Sequence, residues 1–243
     1  MELRNFLLAA MSPGDAAALG PQMREVTLSR GQVLYEQGQP VELIYFPSSA
    51  CVSVVRVMSD GEAAETGTIG RESAAGLADA LAGTSVWSRV FVQVAGSAIT
   101  LPAAAYRARL VLSPALLRLS LKHLRAVICQ AQMAAACNLV HGADSRLARW
   151  LLMTEDRTGS PGFALTQDYM AVMTGVQRTT ISAMAAALKK AGVIDYSRGQ
   201  VVILDQDALK ARACECYAEM EGQFQDLRAS ALAVPRGAAA APA

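Results

Sequence analysis

Three textures of apolar and polar positions follow one another along this chain of 243 residues. The first 25 residues read as helical, with Leu3, Phe6, Leu7 and Leu19 as apolar anchors. Within them Ser12-Pro13-Gly14-Asp15 is a turn and a helix start, since a hydroxyl caps orphan N–H groups and proline fits the first helical position. From Val26 to Leu101 the period shortens to that of strands. Runs such as VTL, QVLY, LIYF, CVSVVRVM, VFVQV and SAITL are separated by turn residues, Ser59-Asp60-Gly61 being a hairpin signal. Short strands at this spacing predict a small antiparallel sandwich or barrel. A small-residue segment between Ile69 and Ser85 interrupts it and predicts a short helix over 74–81.

The helical period then returns. Ser113-Pro114 opens a long helix in which Leu117, Leu121, Leu124, Ile128, Ala131, Ala135 and Asn138 follow alternating steps of four and three. Such a narrow stripe, sustained for about three heptads, is a coiled-coil seam, and a polar Asn138 within it would set register. Gly142 breaks this helix. Asp144 is expected to cap the next one, SRLARWLLMTEDR, whose Leu147, Trp150, Leu151 and Met153 supply an apolar face. Residues 158–162 read as a loop, residues 207–227 as a further helix, and 229–243 as a disordered Ala/Pro-rich tail.

The stretch LTQDYMAVMTGVQRTTISAMAAALKKAGVIDYSRGQVVIL, residues 165–204, carries the sharpest pattern. Thr166 starts a short helix. Gly175 ends it, because glycine alone takes a positive φ without steric cost. A second helix runs from Gln177 to about Lys190, with Ile181, Met184, Ala185 and Leu188 on one face and Gln177, Arg178, Thr179 and Ser182 on the other. After Gly192 the period changes to two, giving a hairpin with Ser197-Arg198-Gly199 at its tip. Two helices joined by a glycine turn and followed by a hairpin form a winged helix-turn-helix, which presents the start of its second helix to a DNA major groove. Gln177, Arg178, Thr179 and Ser182 are the candidate base contacts. Thr166, Lys189 and Arg198 are candidate phosphate contacts, which position without specifying.

Composition changes this picture little. Hydrophobic residues make up 53% of the chain, and no apolar run approaches the ~18 needed to span a bilayer. Residues 1–15 lack a signal-peptide pattern, so a cytoplasmic protein with reduced thiols is expected. Net charge is only +1, but it is unevenly spread. Residues 113–204 hold 10 Lys and Arg against 5 Asp and Glu, while the segments on either side are net acidic. That favours double-stranded DNA as a partner.

Metal and catalytic signals are weak. Cys51 reads as a small core residue. His123 and His141 read as surface or capping residues on the long helix. Cys214 and Cys216, two apart in a predicted helix, would point to different faces. A metal or redox role for them would need a second chain or histidines from elsewhere. No catalytic residue, metal or bound cofactor is therefore expected. A β-barrel enzyme, which would need convergent ligands, is disfavoured because residues 1–122 contain no histidine. A winged helix used only for protein contact is the remaining alternative.

The order of these parts resembles the Crp/Fnr family of bacterial transcription regulators. The resemblance covers roughly residues 6–205, carried by the helix-turn-helix stretch, by ADSRLARWLL before it and by GTIGRESAAGLADALAG. It implies an α+β chain: an N-terminal antiparallel β-roll of the cyclic-nucleotide-binding, jelly-roll kind over 1–112, a dimerisation helix over 113–142, a winged helix-turn-helix over 143–210, and a C-terminal helix and tail over 211–243. It further implies a homodimer on a symmetric DNA site, an N-terminal domain sensing a small molecule or nucleotide, and RNA polymerase as a second candidate partner. The family's nucleotide cassette pairs glycine with glutamate and arginine with serine. Here Glu72 matches but Arg71 replaces the glycine, and Ser88 matches but Trp87 replaces the arginine. Arg71, Glu72, Ser88 and Arg89 are thus the candidate effector residues, and cyclic AMP is disfavoured, since a cyclic phosphate needs a buried cationic partner. The family's base-reading arginine, glutamate and arginine correspond to Arg178, Thr179 and Ala183, so a different target sequence is expected. Gly142, with His141 and Ala143, is the expected hinge.

Overall fold

The computed structural model describes residues 4–233. Asn5 caps α1 (Phe6–Ala9) and Ser12 caps α2 (Pro13–Leu19), each accepting backbone N–H groups of the first turn. The predicted anchor Leu3 lies outside the described residues. Seven strands follow: β1 (Arg24–Leu28), β2 (Val33–Tyr35), β3 (Leu43–Pro47), β4 (Cys51–Val57), β5 (Ala63–Ile69), β6 (Arg89–Val94) and β7 (Gly96–Pro102). They form two antiparallel sheets, in the orders β1-β7-β3 and β2-β6-β4-β5. Alternate residues from both sheets, among them Ile44, Phe46, Val52, Val92, Ile99 and Leu101, make one buried cluster. The β4–β5 hairpin turns where Ser59-Asp60-Gly61 predicts it: Gly61 takes φ 88°, and Asp60 accepts the Glu62 N–H at 3.0 Å. The interrupting helix is α3 (Leu77–Ala82), placed by Gly76 and Gly83 in left-handed conformation.

A helix without a sequence signal follows the roll directly. α4 (Ala103–Leu112) lies before α5 (Pro114–Val140) and buries Ala103 and Tyr106. Ser113 separates the two helices and caps α5, as Ser113-Pro114 predicts. Asp15 of α2 fastens this corner: it accepts from Arg109 at 2.6 Å and from Ser113 at 2.9 Å. Burial alone would raise the Asp15 pKa, but Ser12, Arg109 and Ser113 together hold it below the usual carboxylate range.

α5 buries Leu116, Leu119, Ser120, His123, Ala126, Gln130 and Cys137. His123 is therefore not a surface or capping residue. Its Nε2 lies 2.7 Å from Ser73 Oγ, and burial pushes its pKa down to about 4. The predicted seam is on the other face. Leu117, Leu121, Ile128, Ala131, Ala135 and Asn138 are exposed, and Leu124 is half-buried.

Beyond His141 the chain enters α6 (Ala143–Thr158). Its cap is Gly142, and Asp144 sits in the first turn rather than at the cap. The winged module comprises β8 (Gly162–Ala164), α7 (Gln167–Thr174), α8 (Arg178–Lys190), β9 (Ile194–Ser197) and β10 (Gln200–Ile203). The third strand, β8, lies partly in the predicted loop; it pairs with β10, so the wing is three-stranded, β8-β10-β9. The expected single helix over 207–227 is instead α9 (Gln206–Lys210) and α10 (Cys216–Ala233), separated by a turn. The predicted tail is helical through Ala233, and the rest of it lies outside the described residues. α10 folds back onto α5 and α1, with Phe224 in the core of the roll.

Candidate nucleic-acid interface

The helix-turn-helix forms for the reasons visible in its residues. Thr166 accepts the Tyr169 N–H and caps α7; Gly175 closes α7 at φ 65°. Ile181, Met184, Ala185 and Leu188 bury the inner face of α8. Val201 and Ile203 close the core from the wing. The outer face is open: Gln177, Arg178, Thr179, Thr180 and Ala183 are all exposed. Thr180 belongs to this surface although the family pattern did not single it out. Arg198 is exposed at the hairpin tip, at φ 49° beside Gly199 at 73°, the paired left-handed positions of a tight two-residue turn.

The candidate contacts divide into two groups. Arg178 is paired with Asp168 at 3.2 Å, both side chains about two-thirds exposed, so the guanidinium is oriented but open to a ligand. Gln177, Thr179 and Arg198 are likewise open. Ser182, half-buried, donates to Gln167 at 2.7 Å and braces α8 against α7. Lys189 binds Asp195 at 2.7 Å and the Tyr196 carbonyl at 3.0 Å, joining α8 to the wing and holding Asp195 below the usual carboxylate range. Thr166 spends its oxygen on the cap. These three are engaged within the winged module itself, binding α7, α8 and the hairpin together.

α6 and α7 dock on the outer face of the β2-β6-β4-β5 sheet. Trp150 Nε1 donates to Glu65 at 3.2 Å, the Tyr169 and Phe91 rings stand 6.0 Å apart, and Ser53 Oγ lies 3.7 Å from Met173 Sδ. Burial against this interface pushes the Glu65 carboxyl up to about 7 despite hydrogen bonds from Ser53 and Trp150. Arg157 of α6 reaches Glu72 at 2.9 Å, both nearly buried. A Cβ on Gly70 would fall 2.2 Å from Arg157 Cβ, so only glycine admits this approach.

The four candidate effector residues do not converge. Glu72 is committed to Arg157 and to the Gly70 N–H at 3.1 Å. Arg71 lies over the Phe6 ring at 5.3 Å. Ser88 is buried, and Arg89 pairs with Glu36 at 3.2 Å near the surface. Arg89 stands beside Val55, whereas β5 ends at Ile69 beside Val52. Three strand positions separate those levels, about 10 Å. Trp87 is 71% exposed and stacks with Arg56. The segment before α3 is also closed from the side of α5, where Gln130 donates to the Thr68 carbonyl at 3.1 Å and His123 meets Ser73.

Two domain families match the chain in this order. Residues 25–110 match the cyclic nucleotide-binding domain and residues 145–212 the Crp-like helix-turn-helix domain, with α5 between them. The chain belongs to the Crp/Fnr family. It is accordingly a transcription regulator built from a cyclic nucleotide-binding fold and a helix-turn-helix DNA-binding domain. No match was found among curated protein sequences. Solved structures share the fold. FixK2 from Bradyrhizobium japonicum is 16% identical with a TM-score of 0.68, over 79% of this chain and 98% of that one. A CRP-family regulator from Thermus thermophilus is 21% identical with a TM-score of 0.63, over 77% and 96%. The c-di-GMP responsive regulator CLP of Xanthomonas campestris is 13% identical with a TM-score of 0.61, over 79% and 99%. Among the described residues, no helix of this Crp/Fnr chain is long and apolar enough to cross a membrane.

The hinge expectation needs a correction. Gly142 has φ −64° and ψ 156°, a conformation open to any residue, and a Cβ there would meet nothing within 4 Å. Glycine's freedom is not what makes the joint. His141 is the C-cap of α5, in keeping with the capping reading, while Cys214 and Cys216 depart from expectation. Cys214 precedes α10, so the rule about helix faces does not apply to the pair, and both thiols turn toward the end of α5.

Proposed function

We propose that this regulator reads a specific operator as a homodimer clasped along α5. The observation that carries the reading is the exposure of the seam. Leu117, Leu121 and Ile128 are 44%, 56% and 58% exposed on a helix whose opposite face is fully packed. Large apolar side chains at the four- and seven-residue steps of a heptad seam and facing water are covered in solution by a like surface. Two chains related by a twofold axis would then aim two α8 tips at neighbouring major grooves, about 34 Å apart.

Sequence selectivity in this reading comes from Arg178, whose fork can grip the O6 and N7 of a guanine, with Thr179 and Gln177 beside it. Arg198 and the free N–H groups at the start of α8 meet phosphates. The roll acts as the sensing domain. An internal arginine, Arg157, already satisfies Glu72, which weighs against cyclic AMP and in favour of a different effector. Through Trp150, Arg157 and Tyr169, a change in the sheet would reach α6 and α7 directly.

Gel shifts with genomic fragments test this reading. Selective binding that weakens steeply as salt rises is expected, because displaced counterions make phosphate contacts salt-dependent. Absent or unselective binding would favour a winged helix used for protein contact.

A further inference from the structure

We propose that Cys137, His141, Cys214 and Cys216 form a closed tetrahedral zinc site that ties the end of α5 to the start of α10. One ligand atom from each of the four lies within 4.8 Å of all the others. The Cys137 and Cys214 sulfurs are 3.5 Å apart, and Cys216 Sγ is 3.5 Å from His141 Nδ1. A disulfide would hold its sulfurs at about 2.05 Å, so the pair is not oxidised. Zinc–sulfur and zinc–nitrogen bonds of about 2.3 and 2.0 Å at tetrahedral angles place ligand atoms roughly 3.5–3.8 Å apart. Two of the separations found, both 3.5 Å, have that spacing, and the others stay within 4.8 Å, close enough for one small ion to draw the four together. An iron–sulfur cluster, several atoms across, needs its sulfurs wider apart.

The residues around the four complete the case. Cys137 and His141 are four apart at the end of a helix, so both face the same way. Cys214 and Cys216 flank the turn into α10, where the chain bends enough for both thiols to reach one point. The three cysteines are buried, at 0%, 8% and 2% exposure. His141 Nε2 lies 3.1 Å from Glu215 Oε1, which leaves Nδ1 to the site, and a carboxylate on the far nitrogen of a ligand histidine fixes its tautomer and ring. Three thiolates, one neutral imidazole and Zn²⁺ sum to one negative charge. Arg149 is buried within electrostatic reach of Cys137 and Cys214, and its Nε has no hydrogen-bond partner among the described residues. Four protein ligands leave no open position, so the ion is structural rather than catalytic. It would fix His141, the residue before the entry to α6, against the C-terminal helix. This inference does not depend on the operator reading.

The test uses the full chain, purified under reducing conditions, stripped with a chelator and titrated with Zn²⁺ against a chromophoric competitor. One zinc per chain is expected, with a higher Tm on zinc but not on Mg²⁺. Cobalt(II) should give the intense visible bands and the sulfur charge-transfer band of a tetrahedral thiolate site. Cys214→Ser and Cys216→Ser should weaken zinc binding more than 100-fold, and Glu215→Gln about 10-fold or more. Cys51→Ser and Cys129→Ser should leave it unchanged. No zinc uptake, equal uptake in Cys216→Ser, or a weak octahedral cobalt spectrum would each overturn the proposal. The cobalt spectrum is read on the unaltered chain, so it decides even if a variant fails to fold.

Discussion

At the scale of single residues, the exposed start of α8 and the packed interface beside it call for different tests. Arg178 is open and oriented, so Arg178→Ala should weaken binding to the selected operator by about 1–3 kcal/mol and relax preference at one base pair. Titrations against operator and random duplex would check this, and equal losses on both would exclude base reading. Glu65 and His123 control stability in opposite senses. The folded Glu65 carboxyl, raised to about 7 from an ordinary 4.5, keeps a proton the unfolded chain has lost. Its favourable contribution is therefore complete below about pH 4.5 and gone above about pH 7. His123, lowered to about 4 from 6.5, stays neutral where the unfolded chain takes a proton, so stability falls as pH drops below 6.5. In Glu65→Gln only the histidine's effect should remain, and Tm should fall more steeply from pH 6.5 to 5 than in the unaltered chain. An identical pH profile would contradict the buried carboxyl. The chain order made the exposure of Arg178 and the burial of Cys51 legible. It could not show that Ser182 and Lys189 act as braces, or that His123 faces inward, because those roles depend on partners such as Gln167, Asp195 and Ser73.

Among the elements, α5 is the one whose role can be isolated. Its inner face is held by Ser113, Tyr106 and the roll, while its seam is exposed in one chain apart from half-buried Leu124, and only its last member, Asn138, accepts from Arg146. Leu121→Lys puts a charge on the exposed seam without touching that inner face. We expect a folded chain that light scattering finds as a monomer, with operator affinity sharply reduced. An unchanged mass would remove the seam from the account. α5, α7, α8 and the hairpin were legible because each has a strong period and a local start or stop signal. α4 was not, since AAAYRARLVL follows a strand without a break and has no side-chain cap. β8 is only three residues long and exists because β10 offers it an edge. The division between α9 and α10 was also hidden, because Ala211, Arg212 and Ala213 are all compatible with a helix.

For the whole molecule, the β-roll and the helix-turn-helix module share an interface, and the residues at the start of α8 stay exposed outside it. Local periodicity has no access to such an arrangement. Trp150 on Glu65 and Arg157 on Glu72 join residues 85 apart, and only the folded chain brings them together. The same holds for Cys137 and Cys214, 77 residues apart. The central claim is that two copies jointly read two half-sites, and the most direct measurement is selection of binding sites from random duplexes by the full chain. The account predicts an enriched inverted repeat whose half-sites lie about 10 base pairs apart, centre to centre. A single unrepeated half-site, or no enriched sequence, would contradict it.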